Sequence, residues 1–426
     1  MSNSQVDQLI KDRPGFEAMV VADKPDIKQI AKNIYMSEGT SNAYMVITAA
    51  GRVIINTGMG FEALMAHKPG FDAIHAGPTP YIFLTQGHVD HVGGVSQFRE
   101  TSTKLIAQKN NSICQQDDER IQKIRSSQAY IWFQKTIDTA IKVASTNPEV
   151  FVQDRPVPDI CFDDKHELTV GDTRFVLLST PGGETIDSAV VWMPDDKTLF
   201  TGNLFGPLFP HFPNINTIRG DKYRYIDPYL ASLGRVRKLE AETLITGHFT
   251  PIEGKQLILD SLNRLEAAVK YVHTETLTRM NRGENIFCIM KTLTLPKELS
   301  VGEGYGKVSW AARTIWESYM GWFKAEHTSE LYPINTHAIY PDLLKLCSLE
   351  KAINLCHNFI TGKDYDKALL LTEAIATAYP NHPETLALSI EVHRELLEQA
   401  GDNFWLRGWL NKQINNFQQE LEKIPE

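Results

Sequence analysis

Thr85-Gln86-Gly87-His88-Val89-Asp90-His91 packs two imidazoles and a carboxylate into four residues, and its flanks decide how it is read. Upstream, Tyr81-Ile82-Phe83-Leu84-Thr85 is an apolar, β-rich run, so the polar cluster lies on the loop at a strand's end, where a rigid strand holds reactive groups in place. Downstream, Gly93-Gly94 follows at once. Imidazole and carboxylate donors at this density suit Zn²⁺, or Fe and Mn where oxygen donors weigh more. The same local context recurs twice. Glu184, in Pro181-Gly182-Gly183-Glu184, comes after the strand-like run RFVLL at 174–178, and His248, in Gly247-His248-Phe249, comes after TLIT at 243–246. Three polar clusters therefore follow three strand ends. The other histidines, His67 and His393 among them, show no ligand spacing, and solvated or structural roles are their default.

Further β-rich runs occur at 42–47 (NAYMVI), 52–56 (RVIIN), 189–192 (AVVW) and 198–200 (TLF). The stretch 115–145 breaks this pattern with helical spacing of Ile121, Ile124, Tyr130, Phe133, Ile137 and Ile141, as an inserted helical segment would. Strand patterning stops near Pro341. There Tyr365, Ala368, Leu369, Leu371, Ala374 and Ala378 fall at helical spacing before a break at Pro380-Asn381-His382-Pro383, and a second helix is expected over 384–399. The pair reads as one tetratricopeptide-type hairpin, packed on the main domain or on a partner subunit.

The segment Thr85 to His91 resembles the T-H-x-H-x-D-H signature of metallo-β-lactamase-fold hydrolases. Within that superfamily the alkylsulfatases are the nearest likeness. Thr180-Pro181-Gly182-Gly183-Glu184 resembles their T-P-G-x-E, Thr217-Ile218-Arg219-Gly220 their T-L-R-G, and Tyr319-Met320-Gly321-Trp322-Phe323 their Y-x-G-W-[FY]; Trp405-Leu406-Arg407 to Leu410 resembles the end of their helical dimerisation domain. The resemblance implies an α/β fold, a metallo-β-lactamase αββα sandwich followed by an all-α C-terminal domain. It also implies a division into an N-terminal extension (1–32), a catalytic domain (33–275), a connecting segment (276–340) and a helical dimerisation domain (341–426).

Carried onto these residues, the family assigns His88 and Glu184 to a first metal and Asp90, His91 and His248 to a second, with Asn214 and Arg219 binding the sulfate. Three positions depart from its pattern. Gln86 stands where the first histidine is usual and is at most a weak ligand, Gly202-Asn203 replaces a bridging acid, and Asn56 replaces a supporting aspartate. A neutral amide and a missing carboxylate weaken the first site, so one tightly held zinc is expected, a second weak or absent, with Fe or Mn as alternatives. Asp90 and His91 are then the catalytic residues, acting with metal-activated water on a small anionic ester. Arg219 has the planar paired donors an anionic tetrahedral group requires. The alternatives are hydrolysis of another ester, a lactone or an ether by the same fold, or a metal-binding protein with impaired catalysis.

Composition narrows the classes further. A chain of 426 residues with 42% hydrophobic and 22% charged residues builds a large domain and a smaller one. A net charge of −9 provides no general field for nucleic acid or an anionic membrane. Five scattered cysteines without a C-x-x-C pair read as reduced thiols. Residues 1–26 show no apolar signal core, and no apolar run reaches the roughly 18 residues a membrane span requires, so a cytoplasmic protein is expected. With fewer residues than typical alkylsulfatases, the chain is expected to lack their lipid-carrier-like domain, and detergent-chain sulfate esters are not the expected substrates. Trp405, Leu406, Trp409 and Leu410 are expected either in a homodimer surface or in the core of a helical hairpin, with the dimer favoured by the resemblance.

Overall fold

The computed structural model describes residues 2–13, 15, 18–147, 153–216 and 218–424; Thr217, part of the Thr-Ile-Arg-Gly segment above, lies outside them. The chain divides into two compact units, Met1–Tyr319 and Met320–Glu426.

Alternation along the strands of the first unit dictates a layered sandwich. Strands β1 (Ile27–Ala31), β2 (Ile34–Ser37), β3 (Ala43–Thr48), β4 (Gly51–Ile55), β5 (Tyr81–Phe83), β6 (Lys104–Gln108) and β7 (Ile160–Phe162) form one sheet in sequence order. A second sheet has the order β13 (Ile252–Glu253), β12 (Thr243–Thr246), β11 (Thr198–Gly202), β10 (Ala189–Met193), β9 (Thr173–Ser179), β8 (Lys165–Val170). Successive side chains of a strand point to opposite faces. On β3, Tyr44 and Val46 meet Phe175, Leu177, Val191 and Phe200 of the other sheet in a shared core. The alternate residues Ala43 and Met45 face outward onto Phe71, Val92, Val95 and Phe98 of the helices. The second sheet mirrors this: Val176, Leu178, Val190 and Leu244 turn away from the first sheet and pack under Leu233 of helix Ile226–Arg237 and Leu262 and Leu265 of helix Lys255–Asn281. Both faces of both sheets are covered, which is the αββα sandwich.

Helix Ser2–Asp12 places Leu9 and Ile10 against that same outer layer, and Arg13 donates to the carbonyls of Phe209 and Thr250, each at 2.9 Å. Ile286, Ile289, Ile315 and Trp316 also belong to this core. The insertion at 115–145 is three helices, Asn111–Arg120, Gln122–Ala129 and Gln134–Ala144.

Parallel pairing of β4, β5 and β6, and of β11 with β12, sends their carboxyl ends to common edges, the usual place for ligands in open α/β sheets. Two links bring the loops there together: Ala189 donates its backbone N–H to the Thr85 carbonyl (2.9 Å) and Asn42 donates to that of Gly247 (2.8 Å).

The second unit is helical throughout its regular structure among the described residues. Helices Leu349–Thr361, Tyr365–Ala378, Pro383–Gln399 and Phe404–Glu422 follow one another, and Ile353, Cys356, Ala368, Ile375, Leu388 and Val392 form a core of their own. Trp405 and Leu410 are buried, whereas Trp409 is half exposed. Of the two readings open for this segment, Trp405 takes the internal one, and Trp409 remains at the surface. No helix among the described residues is long and apolar enough to cross a membrane.

Candidate metal centre

The signature segment leaves β5 through Leu84 and turns into a single-turn helix, Val89–Val92, with His88 at its N-cap. The loop's entry is fixed by Asn56: Thr85 donates its backbone N–H to Asn56 Oδ1 (3.0 Å) and Asn56 Nδ2 donates back to Thr85 Oγ1 (2.9 Å). Asn56 thus acts as a clamp between the ends of β4 and β5. The Gly202 departure also has a packing cause. Its φ is +49°, and a Cβ there would lie 2.4 Å from Thr85 Oγ1, so the second sheet approaches the loop too closely for any side chain.

Asp90, His91 and His248 converge. One donor atom from each lies within 4.8 Å of the others, and this is the one such His/Cys/Asp/Glu grouping among the described residues. Burial holds His91 below its ordinary pKa and His248 down to about 4, so both are neutral imidazoles with lone pairs to give. Burial works to raise Asp90, but the neighbouring His91 and His88 and a hydrogen bond from Ser41 outweigh it and keep the carboxylate ionised. Two neutral imidazoles and one carboxylate fit a divalent cation.

The residues assigned to a first metal also come together, on different terms. Gln86 Nε2 lies 3.1 Å from Glu184 Oε2 and 3.2 Å from His88 Nδ1, so the N–H side of the amide faces Glu184, while its Oε1 is buried without a hydrogen-bond partner among the described residues. His88 Nε2 is taken by Asp221 at 3.3 Å; burial lowers its pKa, but the Asp221 hydrogen bond more than compensates and the net shift is upward. Arg219 Nη2 stands 3.4 Å from His88 Nδ1. Glu184 is pushed down to about 2, burial being outweighed by His88, Arg224 and Arg219. Its charge is thus already balanced by protein cations.

Several residues contribute beyond the ligands assigned from the sequence. Asn203 Nδ2 donates to Glu184 Oε2 (2.6 Å) and lies 3.2 Å from His91 Nε2, filling with a neutral amide the place between the two groups of ligands. Arg224 is buried and joins two loops, through the carbonyls of Glu184 (2.9 Å) and Asn214 (2.5 Å). Tyr305 Oη reaches Glu184 at 3.5 Å. In the sequence Asn203 shows only as standing in for a missing acid, and nothing local marks the role of Arg224, because each acts through a loop remote in the chain.

A cavity of about 740 Å³ opens over the centre. His88, Asp90, Glu184, Asn203, Arg219, His248 and Tyr305 line it on one side, and Ala129, Trp132, Phe133 and Ile137 of the helical insertion, with Met59, supply an apolar wall. Asn214 is buried with both side-chain polar atoms unpartnered, and it is not part of the cavity wall. Asp221 pairs with His88 and Arg125, which leaves Arg219 without an ion pair among the described residues.

Residues 36–248 match the family model described as the metallo-beta-lactamase superfamily, and residues 288–416 match that for alkyl sulfatase dimerisation. A linear primary-alkylsulfatase of Pseudomonas sp. (strain ATCC 19151) is 25% identical over 303 residues, covering 66% of this chain and 56% of that protein. The alkyl/aryl-sulfatase BDS1 of Saccharomyces cerevisiae is 24% identical over 260 residues, covering 57% and 38%. The chain thus spans little more than half the length of the first of these relatives, and less of the second. In fold it is similar to the stereoselective inverting sec-alkylsulfatase Pisa1 from Pseudomonas sp., with TM-score 0.79, 15% identity, and 100% of this chain and 78% of that one covered.

Proposed function

Because the chain belongs to the metallo-beta-lactamase superfamily, we propose that it is a metal-dependent hydrolase of a small anionic sulfate ester, holding one divalent cation, zinc by preference, at Asp90, His91 and His248. The observation that carries this reading is one cavity that joins the donor cluster to an apolar wall and to Arg219, which has no ion pair among the described residues. A cation held there supplies Lewis acidity and makes water a nucleophile near neutral pH. Arg219 offers a planar pair of N–H groups to sulfate oxygens in a site where few waters compete. Trp132, Phe133 and Ile137 shield the reacting ester from bulk water and receive its organic part. Asp90, kept ionised, would both ligate the cation and orient its water. Glu184 and Asn203 hold the opposite side of the site in a fixed network, and the neutral Gln86 and Asn203 argue against a second cation.

The names of the two curated relatives support sulfate esters over carboxylic esters, lactones or ethers. The test is turnover of a matched set of sulfate, phosphate and carboxylic esters by protein purified without chelator. Sulfate esters are expected to be fastest, and equal or faster turnover of the carboxylic ester would move the assignment to another hydrolase of the fold. A homodimer is part of the proposal, supported by the dimerisation match and by the exposed Tyr319, Trp322 and Trp409. Light scattering is expected to give twice the chain mass at micromolar concentration, and a strictly monomeric mass refutes the dimer. A cytoplasmic location is supported by the five cysteines, all free.

A further inference from the structure

Ser41 was singled out by nothing in the sequence, yet it lies at the middle of the donor cluster. Its side chain is fully buried. Its hydroxyl donates to Asp90 Oδ2 at 2.5 Å and lies 3.2 Å from His91 Nε2 and 3.5 Å from His248 Nε2. Donors bound to zinc at roughly 2.0–2.1 Å stand about 3.3 Å apart along the edges of a tetrahedron. Ser41 Oγ therefore sits about one such edge from both imidazoles, and somewhat nearer to the carboxylate that it now hydrogen-bonds. Asn203 Nδ2 is equally near His91, but an amide N–H has no lone pair to give, and its bond to the Glu184 carboxylate fixes which way the amide faces. Among the polar groups that the described residues bring to the His91 ring, Ser41 is the one that adds an oxygen donor beyond Asp90.

The backbone on either side of Ser41 is pinned. Before it, Thr40 donates both its N–H (2.8 Å) and its hydroxyl (3.0 Å) to the buried carboxylate of Glu62, which also takes the Ala22 N–H at 3.0 Å. After it, Asn42 donates its N–H to the Gly247 carbonyl and its side-chain amide to the Phe249 carbonyl at 3.0 Å, gripping the turn that carries His248. A buried serine that served only to pack would not require anchors on both neighbours, one of them on the loop of a metal ligand.

We propose that the Ser41 hydroxyl is a fourth protein donor to the cation held by Asp90, His91 and His248, preorganised by Glu62 through Thr40. This rests on the single-cation reading above and adds a ligand to it. Cobalt(II) is the probe, added to the full-length chain and to Ser41→Ala and Ser41→Cys, with circular dichroism confirming that each is folded. Ser41→Ala should bind cobalt at least about tenfold more weakly. That loss alone would also follow if Ser41 merely oriented Asp90, so the cysteine variant tests whether a donor atom at position 41 reaches the cation at all. A thiol that coordinates a divalent ion is deprotonated, and Ser41→Cys should show a thiolate-to-cobalt charge-transfer band in the near ultraviolet that the wild-type chain lacks. Cobalt bound without that band, no cobalt bound by Ser41→Cys, or Ser41→Ala with wild-type affinity overturns the proposal. If the wild-type chain binds cobalt while the band is missing, only the role of Ser41 falls; if the wild-type chain binds none, the metal-dependent reading falls with it.

Discussion

Asp90→Ala should reduce sulfate-ester turnover by at least about a thousandfold, equivalent to roughly 4 kcal/mol of barrier, and leave the purified protein with little bound metal. Asp90 is the one formal negative charge in the grouping with His91 and His248, and it is ionised despite its buried surroundings. Removing it leaves two neutral imidazoles and a hydroxyl, too little charge to hold a divalent ion against water. The fold should survive. Asp90 is partly exposed on the cavity floor, and its helix is one turn long, so the substitution opens no core cavity and leaves only the Ser41 hydroxyl seeking a new partner. Elemental analysis and thermal unfolding on the same preparation check both halves. A folded variant with full metal content and activity would show that the centre lies elsewhere.

Arg219→Ala should lower kcat/KM for a sulfate ester by about 100-fold to 1000-fold, the range measured when one preorganised donor to a developing anion is removed. The guanidinium lines the cavity, and the carboxylates around it have other partners: Asp221 pairs with His88 and Arg125, and Glu184 faces Arg224 at 3.8 Å. Its donors are therefore available to substrate. Arg219→Lys should recover only part of the loss, because an ammonium cannot present two parallel N–H groups to one sulfate. Metal content should not change in either variant. If Arg219→Ala hydrolyses sulfate and carboxylic esters as the wild-type chain does, the anion-binding role is wrong.

The fold was legible where a residue's role depends on its own segment. The strand TLIT at 243–246 coincides with β12, and the run at 81–85 contains β5, because alternation and apolar content are local properties. His88, Asp90 and His91 share one strand end, while Glu184 and His248 each follow a strand and a glycine, so these five residues could be assembled from three short segments. Ser41 and Arg224 could not be found this way, and Asn203 showed only as a missing acid, not as a contact to His91. Asn203 reaches His91 only because β11 and β12 pair in parallel, which sets the loop after Gly202 beside Gly247, and sheet register is not written in either segment alone. The helical insertion was visible as helical, but its breaks near Ile121 and Tyr130 fall within continuous apolar spacing, which hides three helices in one pattern. Trp405 and Trp409 are four residues apart on one helix, and only packing within the second unit separates the buried ring from the exposed one. Gln86 and Gly202 read as losses in the sequence. In three dimensions Gly202 is the consequence of a close approach to Thr85, and Gln86 a donor to Glu184.

The central claim is that one cation, held by Asp90, His91 and His248, suffices for sulfate-ester hydrolysis. Its most direct test is to strip the wild-type protein with a chelator, return zinc in measured equivalents, and follow turnover of a sulfate ester at each step. The account predicts negligible turnover of the stripped protein and a rate that rises linearly and levels off at one equivalent per chain. Turnover that persists in the stripped protein, or that appears only as a second equivalent binds, would contradict it.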